Sequence, residues 1–312
     1  MSKLALNCPH AKKCGGCQLQ NMTYQRQLSH KQVKVIKLLG KYRHVDEIIG
    51  MEHPYYYRNK VQAAFGERGR EIISGIYQSS THKIVPVDKC LIEDEKADEI
   101  IVTIRKLVKS FKLRAFNDEI MKGFLRHVLI KRGFSSGQIM VVLVATAAEF
   151  PGGKAFVAEL VKTHPEITTV VLNVNSRETS MVLGKTDVTL HGPGYLEDEL
   201  CGKRFRISPQ SFYQVNARQT EVLYRTAIDC AGLTGTETLL DAYCGTGTIG
   251  LCAADQVRQL IGVELNADAV RDAKENARLN QVTNARFFCD DAGRFMVKMA
   301  KDGLPLDVLM MD

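Results

Sequence analysis

The chain lacks the features of a membrane or exported protein. None of its 312 residues belongs to an apolar run approaching about 18 residues, which excludes functions that need a membrane span. The first eight residues contain no long apolar stretch and do not look like a secretory signal. The length allows about two domains, and 45% hydrophobic residues are enough for a folded core. We therefore expect a folded cytoplasmic protein with no membrane partner.

Acidic residues are missing from the start of the chain. Residues 1–44 contain nine Lys and Arg but no Asp or Glu, whereas the rest of the chain is nearly neutral. The net charge of +7 therefore arises in this segment, which suits a polyanion such as RNA. DNA is not expected. A second interpretation is a solvated helix over residues 25–40. Its apolar residues, turned inward in that interpretation, are Leu28, Val35, Ile36 and Leu39.

The cysteines fall into a group of three and a distant fourth. Cys8, Cys14 and Cys17 lie close together, and Cys90 stands alone. Thiols in a chain without an export signal more often bind metal or catalyse reactions than form disulfides. Four sulfurs suit zinc or an iron–sulfur cluster, and the three-plus-one spacing is commoner for [4Fe–4S]. Alternatively, Cys90 is only a small buried residue.

The C-terminal third alternates between strand and helix. This alternation, over about residues 238–311, predicts a parallel doubly wound sheet. The first strand leads into a turn in which Gly245, Gly247 and Gly250 satisfy G-x-G-x-x-G. Glycines there let backbone N–H groups approach a ligand closely. The turn alone fits a dinucleotide site as well as a methyl-donor site.

Acidic residues at three successive strand ends separate these alternatives. They are Asp241, Glu264 and Asp290. Three such carboxylates favour a class I S-adenosylmethionine (SAM) methyltransferase over an NAD-dependent dehydrogenase. Strands and helices between residues 51 and 205 do not alternate strictly, which indicates an α+β domain.

The motifs together resemble the RNA uridine C5-methyltransferase family that acts on ribosomal RNA. The resemblance spans nearly the whole chain. The matching motifs are Cys8-x5-Cys14-x2-Cys17 with Cys90, Tyr57-Arg58-Asn59-Lys60, Leu125-Arg126-His127, Ser211-Phe-Tyr-Gln214-Val-Asn216, Asp241-Ala-Tyr-Cys-Gly and the final Asp312.

This resemblance implies a fold, a reaction and two cofactors. It implies a C5-methylated uridine in 23S ribosomal RNA as product, with SAM as methyl donor. The residues implied to contact SAM are Gln214, Tyr243, Glu264, Asp290 and Asp312. The residues implied to bind a [4Fe–4S] cluster are Cys8, Cys14, Cys17 and Cys90. The predicted α/β architecture is an iron–sulfur segment (1–50), an α+β RNA-facing domain that contributes Cys90 (51–205) and a Rossmann-like SAM domain (206–312).

The sequence departs from the family pattern in two places. The small β-barrel domain that precedes the cluster in many members is not expected in this protein, as in some other members. The nucleophilic cysteine and the glutamate base are expected beyond residue 312, so the SAM domain is expected to be incomplete and this chain inactive by itself. We interpret Cys244 as a packing residue and assign no catalytic residue. The alternative function is a non-catalytic RNA-binding iron–sulfur protein.

RNA contacts are expected from basic side chains. The candidates are Arg58, Lys60, Arg126, Arg132 and the basic segment 1–44, which would neutralise phosphates. Aromatic residues would stack on unpaired bases.

Overall fold

The computed structural model describes residues 7–69, 71–117, 120–177 and 181–311. Its helices are α1 (Tyr24–Leu39), α2 (Glu95–Ser110), α3 (Gly153–Thr163), α4 (Ala217–Ala231), α5 (Thr248–Ala253), α6 (Ala267–Leu279) and α7 (Ala292–Lys301). Its strands are β1 (Lys60–Arg68), β2 (Glu71–Tyr77), β3 (Ile84–Pro86), β4 (Leu125–Arg132), β5 (Ile139–Ala145), β6 (Ile167–Val174), β7 (Thr186–His191), β8 (Leu196–Leu200), β9 (Lys203–Ile207), β10 (Thr238–Ala242), β11 (Gln259–Glu264), β12 (Ala285–Cys289) and β13 (Val308–Met311). No helix among these residues is long and apolar enough to cross a membrane.

The middle of the chain forms a mixed sheet covered by helices. Its strand order is β3-β2-β1-β4-β5-β6-β7, and β5 with β6 is the parallel pair. Every residue of β5 is buried, as expected for a continuous run of β-branched and apolar residues in a central strand. Helices α2 and α3 pack against this sheet, and Ile100 and Ile104 of α2 are completely buried.

The C-terminal sheet confirms the predicted doubly wound arrangement. Its parallel strands lie in the order β12-β11-β10-β13, which numbers 3-2-1-4 within the sheet. Alternate residues of β10 point to opposite faces, so Leu239 packs toward α5 and α6 while Leu240 packs toward α7. The sheet is therefore covered on both faces, and the carboxyl ends of its strands meet at one edge.

A short hairpin and α4 connect the two sheets. Strands β8 and β9 pair through a turn at Cys201, and β9 packs against α6. Asn216 caps α4 by accepting a hydrogen bond from the backbone N–H of Gln219. Gly232 ends α4 in the left-handed conformation, with φ of 59°.

Helix α1 exists as predicted, but of its four apolar residues predicted to point inward only Leu28 is half-buried, beside Gly50. It buries no side chain, and Val35, Ile36 and Leu39 are 40%, 47% and 53% exposed. The helix is held instead by polar contacts, because Gln32 bonds the backbone carbonyl of Asp46 and the backbone N–H of Ile48. The predicted inward face was wrong because a helical period reveals a helix without revealing whether another element covers it.

Candidate functional site

The glycine-rich turn between β10 and α5 is a tight, well-anchored loop. Gly245 and Gly247 have φ of 55° and 80°, which side chains disfavour. The buried carboxylate of Asp241 accepts a hydrogen bond from the Gly250 N–H at 2.9 Å. A Cβ on Gly250 would lie 2.8 Å from that carboxylate, so only glycine fits. Asp241 therefore shapes the turn rather than facing solvent.

Two of the predicted acidic residues lie beside this turn. The Glu264 carboxylate accepts a hydrogen bond from the Gly245 N–H at 3.1 Å and another from the Asn266 N–H at 2.8 Å. The Asp290 N–H donates to the Glu264 carbonyl at 3.1 Å, and the Asp290 carboxylate pairs with Arg294. The structure thus places Glu264 and Asp290 on adjacent strand ends next to the glycines.

Apolar groups border the same edge. The Tyr243 ring is 55% exposed, and its backbone has φ of 63°. Leu265, which the sequence analysis did not single out, is 68% exposed directly after Glu264. The signal that could have revealed it is its position, immediately after the second acidic strand end. Asp312, the remaining predicted donor contact, lies outside the described residues.

Gln214 lies on a loop that the central sheet holds in place. The Asn59 side-chain amide donates to the Gln214 carbonyl at 3.0 Å, and the Asn59 N–H donates to the Val215 carbonyl. The Lys131 ammonium of β4 donates to the carbonyls of Ser208 and Ser211, each at 2.8 Å. These supports were not predicted, because they join residues more than 70 positions apart.

On its other side, the same loop is bonded to α6, which covers the C-terminal sheet. The hydroxyl of Ser211 donates to the Asp272 carboxylate of α6 at 2.7 Å. Burial, together with the neighbouring positive charge of Lys60, lowers the pKa of Lys131 to about 7. A buried amine with two carbonyl acceptors is a structural clamp, since each donor that loses its acceptor would be left unsatisfied.

The cysteines near the turn do not have the setting of a nucleophile. Burial raises the pKa of the Cys244 thiol, and the carboxylates of Asp241 and Glu264 raise it further. This agrees with Cys244 as a packing residue. The pKa of Cys201 is lowered by its hydrogen bond with Cys252, whose own pKa is raised. That pair joins the β8–β9 turn to the end of α5, away from the glycine turn.

The four predicted ligand cysteines line one small cavity. Cys8, Cys14 and Cys17 come from the loop before α1, and Cys90 comes from the segment between β3 and α2. The Gly16 N–H reaches the Cys14 sulfur at 3.4 Å. Burial raises the pKa of Cys17, and the nearby thiols of Cys14 and Cys8 add to this effect. The fold therefore brings Cys90 to the same cavity as the other three cysteines.

The cavity is larger than one ion requires. It offers about 40 Å³ to a water-sized group, compared with roughly 10–15 Å³ for a single water. No three His, Cys, Asp or Glu side chains within the described residues form a group that could hold a metal ion. The four sulfurs therefore line one cavity, but they are not grouped closely enough to be the ligands of a single metal ion.

The predicted RNA-contacting arginines differ in availability. Arg126 is 7% exposed and donates to the carbonyls of Asn175 and Arg177, so it is a buried structural residue. Arg132 is paired with Asp94 at 2.6 Å. Arg126 and Arg132 were both expected to neutralise phosphates. Their actual partners lie far away in the sequence, so the residues around each arginine could not reveal them. Arg58 and Lys60 are half-buried, and burial lowers the pKa of Lys60.

Comparison with known proteins assigns the chain to a family. The sequence profile of the tRNA (uracil-5-)-methyltransferase family matches residues 23–302. An RNA methyltransferase of Halalkalibacterium halodurans is 40% identical over 98% of this chain and 68% of its own length. One of Clostridium acetobutylicum is 40% identical with the same shares.

A solved structure shows the same fold. It is the Pyrococcus abyssi tRNA (uracil-54, C5)-methyltransferase with S-adenosyl-L-homocysteine, with a TM-score of 0.73 and 24% identity. The alignment covers 88% of this chain and 65% of that one, so the chain spans about two thirds of the length of these relatives.

The sequence matches take in 98% of this chain and 68% of each of these two relatives, and we do not retain the prediction of a truncated, inactive chain. The profile match over most of the chain and the relatives of 40% identity agree on the family. The chain belongs to the SAM-dependent RNA uracil C5-methyltransferase family.

Proposed function

We propose that the protein transfers a methyl group from SAM to C5 of a uridine in 23S ribosomal RNA. The observation that carries this proposal is the hydrogen bond from the Gly245 N–H to Glu264, with Asp290 beside them on the next strand. That arrangement forms a cradle with an acidic rim, as expected for a nucleoside with free ribose hydroxyls. Clustered thiols and an RNA substrate favour the cytoplasm as the place of action.

Each residue of the cradle has a proposed role in holding the donor. Glu264 accepts hydrogen bonds from the ribose hydroxyls, and Asp290 meets the polar edge of the adenine. The exposed Tyr243 and Leu265 pack on its apolar faces. Gln214, on the clamped loop, faces the reaction centre, and Asp312 is the remaining donor contact implied by the family resemblance.

The reaction needs activation of the uracil ring. SAM supplies an electrophilic methyl group bound to a positively charged sulfur. Uracil C5 becomes nucleophilic when a thiolate adds to C6. C5 then bonds to the methyl carbon while the carbon–sulfur bond breaks and its electron pair stays on sulfur. A base removes the C5 proton, and the thiolate leaves C6. We assign no cysteine of the described residues as this thiolate.

We also propose that Cys8, Cys14, Cys17 and Cys90 hold a [4Fe–4S] cluster. Their position around one cavity supports a common centre, and the three-plus-one spacing in the sequence favours a cluster. Methyl transfer moves no net electrons, so a structural role fits the reaction. The cluster would fix the loop before α1 against the segment that follows β3.

Methyl transfer to defined transcripts tests the proposal. Anaerobically purified protein is incubated with labelled SAM and unmodified 23S ribosomal RNA or transfer RNA, and digested RNA is analysed for 5-methyluridine. Label in 5-methyluridine from 23S RNA is expected. Label from transfer RNA alone would contradict the ribosomal assignment. SAM binding without transfer to either RNA would contradict the enzymatic proposal and favour a non-catalytic RNA-binding protein.

A further inference from the structure

A second cavity lies between the cysteine loop, α1 and the start of α4. Its space for water-sized groups is about 400 Å³, within the range of about 300–1,000 Å³ typical of small-ligand sites. The cysteine loop contributes Cys17 and its neighbours, and α4 contributes Asn216 and Gln219. Asn216 follows Gln214 by two residues, so this cavity adjoins the loop assigned to the reaction centre.

The lining of this cavity has an unusual charge balance. Lys31 and Arg58 contribute two positive charges, and no Asp or Glu lines the cavity. Neither cation forms an ion pair with any described residue, in contrast to Arg132, which is paired with Asp94. The Glu93 carboxylate lies near Arg58, but it lines the four-cysteine cavity and not this one. Two cations on a wall that carries no carboxylate favour an anionic ligand.

The remaining lining supplies aromatic and amide groups. Tyr24, Tyr55 and Tyr57 line the cavity together with Gln27 and Gln219, whose side-chain NH2 groups already donate to backbone carbonyls and so hold the wall in place. Aromatic rings stack on unpaired bases, and cations pair with phosphates. This is the combination that recognises one splayed-out nucleotide of a single strand.

We propose that this cavity binds an unpaired nucleotide that flanks the target uridine. The inference rests on the proposed function, since it assumes that RNA is the substrate. It also gives the cysteine loop a specific task, because that loop forms one wall of the nucleotide subsite. Arg58 lines both this cavity and the four-cysteine cavity, so Lys31 is the cleaner residue to test.

Two lysines of α1 provide a matched pair of variants. Lys31 and Lys37 are both exposed on the same helix, but Lys31 lines the cavity and Lys37 does not. Each change to Ala removes one positive charge. If the basic helix attracts RNA only through its overall charge, the two variants should lose the same RNA affinity. If the cavity is a nucleotide subsite, Lys31→Ala should lose more affinity than Lys37→Ala.

The probe is a single-stranded RNA dodecamer with one uridine and 2-aminopurine beside it, on either side in separate probes. Stacking on a tyrosine quenches 2-aminopurine, so fluorescence reports occupancy. We expect Lys31→Ala to weaken binding about tenfold and Lys37→Ala less than about twofold. Tyr55→Leu should keep most of the affinity contributed by phosphates but lose the quenching of one probe.

The outcomes separate this inference from the proposed function. Equal losses for the two lysine variants, or quenching that survives Tyr55→Leu in both probes, would overturn the subsite. SAM binding and methyl transfer by the unmodified protein are measured in the same buffer. If the unmodified protein is active but the two lysine variants lose equal RNA affinity, the subsite alone is refuted. If the unmodified protein neither binds SAM nor transfers methyl groups, the proposed function is refuted.

Discussion

Helices α1 and α2 are both 16 residues long, yet α2 buries seven side chains and α1 buries none. Both begin with a capped N-terminus, through Thr23 and Asp94. The difference is their surroundings, since α2 lies on the central sheet whereas α1 contacts a short segment through polar groups. The local sequence predicts α1 and α2 equally well, because both are long and capped. The packing of α2 against the sheet is what makes α2 the more stable of the two helices.

The largest expected effect is on the attachment of α1, which buries no side chain against the rest of the protein. If the cluster fixes the loop before it, Cys90→Ser should reduce the iron content of anaerobically purified protein from about four atoms per chain to almost none. Trypsin should then cut within α1 while α2 stays protected. Cys230→Ser, at an exposed cysteine, is the control and should keep its iron. Stoichiometric zinc in the unmodified protein would refute this view.

The two helices should respond very differently to the same substitution. Ile104→Ala removes a fully buried side chain of α2 and should lower the free energy of unfolding by about 2–5 kcal/mol. Ile36→Ala, at a 47% exposed position of α1, should change it by less than about 0.5 kcal/mol. Urea titration followed by circular dichroism measures both. Similar losses would mean that α1 is covered in solution.

Donor binding should be independent of α1. Glu264→Gln removes the charge that bonds the Gly245 N–H and is proposed to hold the ribose, so SAM binding should weaken by about 1–3 kcal/mol. Calorimetry measures the affinity, with Ile36→Ala as the variant that should bind SAM normally. Unchanged binding in the Glu264 variant would show that the donor lies elsewhere.

The smallest effect is a pH dependence of α2 packing. His164 bonds Thr103 of α2 at 2.8 Å, and burial lowers its pKa below the ordinary 6.5. As pH falls through 6.5, the unfolded chain takes up a proton before the folded one does, so stability decreases. Between pH 7.5 and 5.5 the urea midpoint should fall more in the unmodified protein than in His164→Gln. Equal slopes would assign the dependence to other groups.

The parts that could be predicted from sequence are those with local causes. The parallel, doubly wound character of the C-terminal sheet follows from its alternation of strands and helices. Asn216 and Gly232 mark the ends of α4 because capping depends on residue type. The positions of Glu264 and Asp290 follow from parallel strands that end at one edge.

The parts that could not be predicted depend on distant partners. Arg126 was expected to meet phosphate, but its acceptors are carbonyls about 50 residues away. The clamp of Lys131 on Ser208 and Ser211 joins β4 to a loop nearly 80 residues later. No periodicity encodes such contacts. Cys90 was linked to the other cysteines by the three-plus-one spacing and then by the resemblance, and the domain boundaries remain predictions.

The left-handed backbone of Tyr243 affects how fast a ligand can bind and how much conformational free energy binding requires. A non-glycine residue at φ of 63° carries a conformational cost of about 1–2 kcal/mol, which the folded turn bears before any ligand arrives. The ring is thus already displayed when a ligand approaches, and no backbone rearrangement has to accompany its arrival. Replacing Tyr243 by glycine would relieve the backbone strain of the turn but remove the aromatic ring. The variant would therefore be more stable toward unfolding and would bind its ligand more weakly.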